Sequence, residues 1–374
     1  MNEQYSGKQV IKAGEQLLRL DILEDENAVN AALDVVSYWR FSHETALENA
    51  LNLLKDTTLQ IDKKAIFAKR LKRFISIFRK LHRFPEMKLK NMQDIGGCRA
   101  IVANPKKLLK IVRKLRQRSE FRNGNGVVRY KDYISSPKED GYRGYHLVGQ
   151  FNNGSEANRN IEIQIRTRLQ HDWATTLEIV DLFTGQALKS NQGEQNWKEF
   201  FSNVSRQFAL MEEIHLFDTL SSDQKFRKYN DLVLRSDFEI KSSCDKVQKV
   251  ERILNVATHL EAYSNTLKII DGRISENAID GYALIVVDVE SATVTTSLFN
   301  KNENEEAEKR YALEEKQATG NRNLVVALVS TTAVGGIKEA YPNYFADSKD
   351  FVEHLFLITD VELPPLGKNI FSNF

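Results

Sequence analysis

The run Ile161-Glu-Ile-Gln-Ile-Arg166 alternates without exception, isoleucine at odd positions and Glu162, Gln164 and Arg166 at even ones. Successive side chains of a strand point to opposite faces, so one face of this segment is apolar and the other carries a carboxylate, an amide and a guanidinium. A chain containing it must build a sheet, cover the apolar side, and leave the polar side either in water or lining a site. Cys98–Val102 and Tyr145–Phe151 read as further strands, Pro105–Arg118 as a basic helix, and a helix follows from Arg168. Residues 1–60 read as helical, with apolar residues three to four apart from Ala28 to Leu54. A long amphipathic helix is expected over about 63–84, stopped by Pro85, and residues 195–265 read as all-helical. After a linker at 271–281, a hairpin (Tyr282–Asp288 and Val294–Phe299), a charged helix (Glu303–Gln317) and a strand (Leu324–Ser330) give a ββαβ pattern with a final helical segment. The fold class expected is α+β, with a sheet-containing domain flanked by helices at 1–270 and a small second domain at 271–374.

With 374 residues, the chain is long enough for two domains with separate cores. Its longest apolar run, Leu324–Val329, falls far short of the ~20 residues that span a bilayer, so no membrane partner is expected. The first residues lack the basic and apolar regions of a signal peptide, and the two cysteines, Cys98 and Cys244, stand far apart. A disulfide framework is therefore not expected, and the cytoplasm is the expected compartment. The net charge of +2 conceals a division: from Glu276 onward sixteen Asp/Glu face eight Lys/Arg, leaving +10 on the preceding residues. Eleven Lys/Arg fall between Lys63 and Lys90 and eight between Lys106 and Arg122, each run with one acidic residue. Such runs are either solvated helix faces or surfaces for a polyanion, nucleotide phosphates or RNA.

Within the expected helix 63–84, Lys72, Ser76, Arg79 and Lys80 fall on one stripe, opposite Leu71, Phe74, Ile77, Phe78 and Leu81. Ammonium groups with a hydroxyl at this spacing form a ladder suited to a polyphosphate. Two carboxylates follow, Asp94 just before the strand Cys98–Val102 and Glu162 within its own strand. A pair of this kind can hold Mg²⁺ on a triphosphate, since Mg²⁺ takes hard oxygen ligands from a few carboxylates and from phosphates. In Lys131-Asp-Tyr-Ile-Ser-Ser-Pro-Lys-Glu-Asp-Gly-Tyr142, a Pro-Lys-x-x-Gly turn puts Tyr142 on a loop with a free face. Such a ring can stack on a base for about 1–3 kcal/mol. Lys138 and His146 lie close enough in sequence to reach phosphates.

In this order, Arg70, Lys72, Ser76 and Lys80, then Asp94 and Arg99, then Lys131 to His146, then Glu162-Ile-Gln-Ile-Arg-Thr167 with His171, resemble the RelA/SpoT synthetase domain over about residues 60–180. The resemblance implies a nucleotidyltransferase-like mixed sheet and pyrophosphate transfer from ATP to a ribose hydroxyl. It implies Arg70 on adenine, Lys72, Ser76 and Lys80 on the ATP phosphates, and Asp94 on Mg²⁺. Tyr142 would stack on the acceptor, and Glu162 would act as base or metal ligand beside Gln164. Arg99 and Arg166 would either bind phosphate or brace a carboxylate.

Two positions depart from the pattern of alarmone-making members: Asp140 stands where Asn is usual in the tyrosine loop, and Thr175 where Glu is usual after the histidine. Both argue against guanosine (GDP or GTP) as acceptor. Trp173-Ala-Thr-Thr-Leu-Glu178 and Gly185–Gly193 resemble instead the toxic branch of small synthetases, which pyrophosphorylates the 3′ CCA end of tRNA. The tail resembles that of CapRel-type fused toxin–antitoxin proteins, which end in a zinc-finger-like domain without zinc. Residues 282–330 contain neither Cys nor His, so no structural zinc is expected. Tyr341-Pro-Asn-Tyr344 resembles their neutralising Tyr-x-x-Tyr motif. The resemblance implies an autoinhibited enzyme released by a phage protein such as a capsid protein. The alternatives are an alarmone synthetase and a catalytically silent sensor on the same fold.

Overall fold

The structure, a computed structural model, describes residues 5–18, 26–72, 74–154, 157–184, 188, 193–263, 281–288, 291, 293–303, 306–307, 309–311, 313–314, 324–330 and 348–365. The chain divides into two compact units, one of residues 1–137 and 143–168, the other of residues 138–142 and 169–374. The boundary expected at 270 lies outside the described residues.

The first unit is built on a five-stranded mixed sheet. Three helices precede it: α1 (Gly7–Leu17), α2 (Glu26–Phe41) and α3 (Glu44–Leu59). The strands are β1 (Ile66–Leu71), β2 (Gly96–Val102), β3 (Arg129–Asp132), β4 (Tyr145–Asn152) and β5 (Asn158–Thr167), with α4 (Phe74–Arg83) and α5 (Pro105–Leu115) between them. Their order across the sheet is β1-β2-β5-β4-β3, with β2 and β5 parallel and every other pair antiparallel. The alternating strand thus lies at the centre of the sheet and not at a solvated edge. Ile161, Ile163 and Ile165 are fully buried, in one core with Leu47, Leu51 and Leu54 of α3 and Leu108, Ile111 and Leu115 of α5. Each such side chain contributes ~1.5–3 kcal/mol by leaving water, which fixes the register and sends Glu162, Gln164 and Arg166 to the opposite face.

The helix expected over 63–84 is corrected by the structure. Residues 66–71 form β1, Lys72 continues its ladder by donating to Ile95 O, and α4 begins only at Phe74. Apolar periodicity cannot distinguish six residues of strand from helix, and here the sheet decides. Strand β2 is nearly all buried and needs hydrogen-bond partners on its outer side, which β1 supplies from Ile66 opposite Ile101 to Leu71 opposite Gly96. As an edge strand β1 carries Lys69 and Arg70, charges that discourage further pairing. The polyphosphate ladder is therefore not one helical stripe. Lys72 lies between β1 and α4, and only Ser76, Arg79 and Lys80 share a helix face. Strand β3 is announced by no pattern in the sequence.

In the second unit α6 (Arg168–Thr184, joining it from Leu169), α7 (Gln195–Glu213), α8 (Ser222–Arg235) and α9 (Phe238–Leu254) pack with the C-terminal helix α10 (Lys349–Thr359). The expected strands are present as β6 (Gly281–Asp288), β7 (Thr293–Asn300) and β8 (Leu324–Ser330), in the antiparallel order β7-β6-β8. Ala283 and Ile285 of β6 belong to the same core as α6–α10. Most of the expected linker 271–281, parts of Gly185–Gly193 and Glu303–Gln317, and both Tyr341 and Tyr344 lie outside the described residues. Among the described residues no helix is long and apolar enough to cross a membrane.

Candidate active site

The strand register sets out the polar face of the sheet residue by residue. Arg70 pairs with Gly97, Gly97 with Glu162, Arg99 with Gln164, Gln164 with His146, and His146 with Lys131. Directly paired residues share a face, so Arg70, Arg99, Glu162, Gln164, His146 and Lys131 lie on one side of the sheet. Gly97 leaves a gap between Arg70 and Glu162, because it has no side chain to fill the space.

Asp94 is held between Met92 and Ile95, 1% and 0% exposed, which anchor the short approach to β2. Its two oxygens accept from two lysines: Lys72 Nζ at 2.9 Å and Lys80 Nζ at 2.8 Å. The carboxyl is partly desolvated, which opposes ionisation, but the two ammonium groups outweigh this and hold its pKa below the usual carboxylate range. The pKa of Lys72 is lowered as well: burial pushes it down, against the attraction of Asp94, and the neighbouring charges of Lys80 and Arg70 add to the fall. One carboxylate thus stands among three crowded cations. An entering polyphosphate would relieve that repulsion. Arg40 of α2 fixes the backbone that presents Lys72, its Nε donating to the Lys72 carbonyl at 2.8 Å.

Glu162 accepts from Gln164 Nε2 at 2.7 Å and lies 3.0 Å from His146 Nδ1; Arg166 in turn donates to Gln164 Oε1 at 2.9 Å. Burial opposes the charge of Glu162, yet His146, Gln164 and the nearby Lys80 bring its pKa down to about 2. Both carboxylates therefore stay ionised near neutrality as hard oxygen donors. Among the described residues no three His, Cys, Asp or Glu cluster as a metal cage. The donor set fits Mg²⁺, which binds through one or two carboxylates and completes its shell with phosphate and water.

Lys138 and Tyr142 belong to the second unit. Their loop closes on itself: Gly141 N donates to Lys138 O at 2.9 Å, and Lys138 N to Tyr142 O at 3.1 Å. Tyr142 N also donates to Asp140 Oδ1 at 2.8 Å. The ring is half-buried, with Lys138 Nζ 4.8 Å from its centroid and the Trp173 ring 6.4 Å away at 63°. On α6, Thr175 is buried and its hydroxyl lies 3.5 Å from His171 Nδ1. The structure thus gathers Arg70, Lys72, Lys80, Asp94, Arg99, His146, Glu162 and Gln164 in the first unit, with Ser76 on the same helix as Lys80. Arg40 and Lys131 join them, Arg40 through the Lys72 carbonyl and Lys131 through its pairing with His146. Arg40 leaves no signal in the sequence, whereas Lys131 opens the motif that ends at His146.

Residues 69–179 match the family described as a region found in RelA / SpoT proteins, a span that includes every candidate above except the tyrosine pair. Two curated relatives from Bacillus subtilis (strain 168) align here. GTP pyrophosphokinase YjbM is 36% identical over 111 residues, 28% of this chain and 51% of that protein. GTP pyrophosphokinase YwaC is 36% identical over 116 residues, 28% of this chain and 52% of that one. The chain spans about half the length of the curated relatives it matches. The crystal structure of small alarmone synthetase 1 from Bacillus subtilis aligns with 48% of this chain and 93% of that one, at 26% identity and a TM-score of 0.41.

Proposed function

We propose that this chain is a pyrophosphokinase, transferring the β- and γ-phosphates of ATP to a ribose hydroxyl and releasing AMP. The observation that carries the reading is the Lys72–Asp94–Lys80 cluster, whose Lys80 also acts by its charge on Glu162 of the polar sheet face. In this reading Lys72, Ser76 and Lys80 bind the ATP phosphates, Arg70 takes the adenine, and Arg99 supports the phosphate chain. Asp94 and Glu162 would hold Mg²⁺, which supplies charge neutralisation on the phosphates when bound. Glu162 receives the proton of the attacking 3′-hydroxyl, whose oxygen bonds to the β-phosphorus as the bond to AMP breaks. A carboxylate with a pKa of about 2 is a weak base. That suffices where phosphoryl transfer is loose and the hydroxyl proton leaves late, so that catalysis is mainly positioning and charge. On the acceptor side, the first unit offers His146 and Gln164 on its polar sheet face, and the second offers Tyr142 as a stacking ring with Lys138 beside it.

For the acceptor we favour the 3′ CCA end of tRNA. The basic runs support this, since backbone phosphates are recognised by just such lysines and arginines. α5 buries Leu108, Ile111, Val112 and Leu115, and exposes Lys106, Lys110, Arg113 and Lys114. The tail 271–374, net acidic and bearing Tyr341 and Tyr344, serves as the neutralising domain, a metal-free zinc-finger-like module relieved by a phage protein. A second reading takes GDP or GTP as acceptor, in line with the names of the curated relatives. Asp140 does not discriminate between them, because the oxygen it offers to Tyr142 N is one that Asn would also provide. Incubation with γ-³²P-ATP and either tRNA or GDP separates the readings. Label on intact tRNA, but not on tRNA trimmed of its terminal adenosine, upholds the first. Label on GDP alone replaces it with the second, and label on neither refutes both.

A further inference from the structure

The tyrosine loop is mounted on α7, and α7 is in turn packed by the C-terminal helix. Ser205, 5% exposed on α7, donates to the carbonyl of Gly141 at 2.5 Å. Gly141 has φ +92°, and a β-carbon there would lie 3.0 Å from Ser202 Cα and 3.3 Å from Phe201 O. The approach is open only to glycine, for both its backbone angle and its space. One turn away the buried Trp173 indole donates to Phe201 O at 2.8 Å, and its ring meets Tyr142 edge-on. Phe351 of α10, fully buried, sits among Phe200, Phe201 and Phe208, its ring centre 6.4, 6.3 and 5.4 Å from theirs. α10 is itself latched at its end, where the buried amide of Gln248 on α9 donates to Ile358 O at 3.0 Å and Val361 O at 2.8 Å.

We infer that Gly141, Ser205 and Phe351 are positioning residues for the acceptor: α10 braces α7, and α7 fixes the loop that presents Tyr142. This rests on the reading of Tyr142 as the acceptor platform. Half-buried and tied into a tightly packed aromatic cluster, the ring cannot adjust independently of α7, because interiors packed to crystal density transmit small displacements. The C-terminal helix is then part of the machinery for acceptor binding, whatever the intervening residues 264–347 do. No residue of the ATP-side cluster takes part, so the effect should be confined to the acceptor.

The test uses the full chain carrying Ser205→Ala or Phe351→Leu, each with thermal melting to establish folding. Ser205→Ala, the milder change, keeps the question open to measurement should the core variant unfold. With ATP saturating, both should raise the acceptor KM about tenfold, the scale of one buried hydrogen bond, with kcat within about twofold and the ATP KM unchanged. Hydrogen–deuterium exchange, which needs no turnover, should show faster exchange of amides 138–142. An unchanged acceptor KM in folded variants overturns the assignment, as does exchange at 138–142 equal to wild type. If the wild type labels no acceptor at all, the pyrophosphokinase reading fails on its own, and the exchange measurement still decides whether α7 and α10 hold the loop.

Discussion

Glu162 shows how one residue can be legible before the structure and still be understood only after it. The alternation around it places it on a polar strand face, but nothing in the sequence says that His146 and Gln164 bond it from the neighbouring strand and its own. Those bonds have consequences for acid stability. Its folded-state pKa, about 2, lies below the ordinary 4.5, so its contribution is complete above about pH 4.5 and is lost as pH falls toward about 2. Asp94 is shifted in the same direction. Melting temperatures of wild type and Glu162→Gln should therefore converge as pH is lowered through that window. A gap that stays constant would mean the carboxylate is not held as described. At neutral pH Glu162→Gln should retain its fold and lose at least ~100-fold in transfer rate, the lower range for removing a positioned proton acceptor. Asp94 was legible as the carboxylate just before the strand Cys98–Val102. Arg40 was not, since a helix residue reaching a backbone carbonyl 32 residues away carries no pattern. Arg40→Met should raise the KM for ATP up to about tenfold by freeing the Lys72 backbone, with the acceptor KM unmoved. Equal effects on both substrates would assign Arg40 to general stability.

At the scale of elements, most of the first unit could be read because its strands and helices announce themselves by period. The isoleucine strand, Cys98–Val102 and Tyr145–Phe151 all form, each extended by one to four residues. α5 starts at Pro105 behind the Asn104 cap, as its sequence directs. The stretch 63–84 could not be read, because its apolar spacing satisfies a helix throughout and only the unpaired edge of β2 converts its first third into strand. That conversion brings the functional residues together. A continuous helix would stack Lys72 and Lys80 two turns apart, ~12 Å along its axis. The change from β1 to α4 instead lets both reach the two oxygens of one carboxylate. Ala68→Pro, which removes a backbone donor from β1, should therefore weaken ATP binding more than it changes overall helix content. Calorimetric titration with ATP against far-ultraviolet circular dichroism would check this, and undiminished ATP affinity would separate β1 from the site.

For the molecule as a whole, charge and composition anticipated a basic body and an acidic tail, and three of the tail's expected elements form as strands. Composition could not reveal that β6 and α10 share a core with α6–α9, since a buried phenylalanine such as Phe351 looks the same in sequence whichever helix it packs against. If the tail neutralises the enzyme, Tyr341→Ala with Tyr344→Ala should slow bacterial growth without any phage, and adding Glu162→Ala should restore it. Normal growth of the double variant, with no faster labelling by the purified protein, would remove the tyrosine pair from regulation. Beneath all of this lies the claim that two phosphates leave ATP together. ATP labelled separately at the β- and γ-positions, incubated with the protein and its acceptor, tests that claim directly. Equal transfer of both labels, with one AMP released per acceptor modified and a rate at least ~100-fold lower from Glu162→Gln, is the predicted result; transfer of the γ-label alone with release of ADP would contradict it.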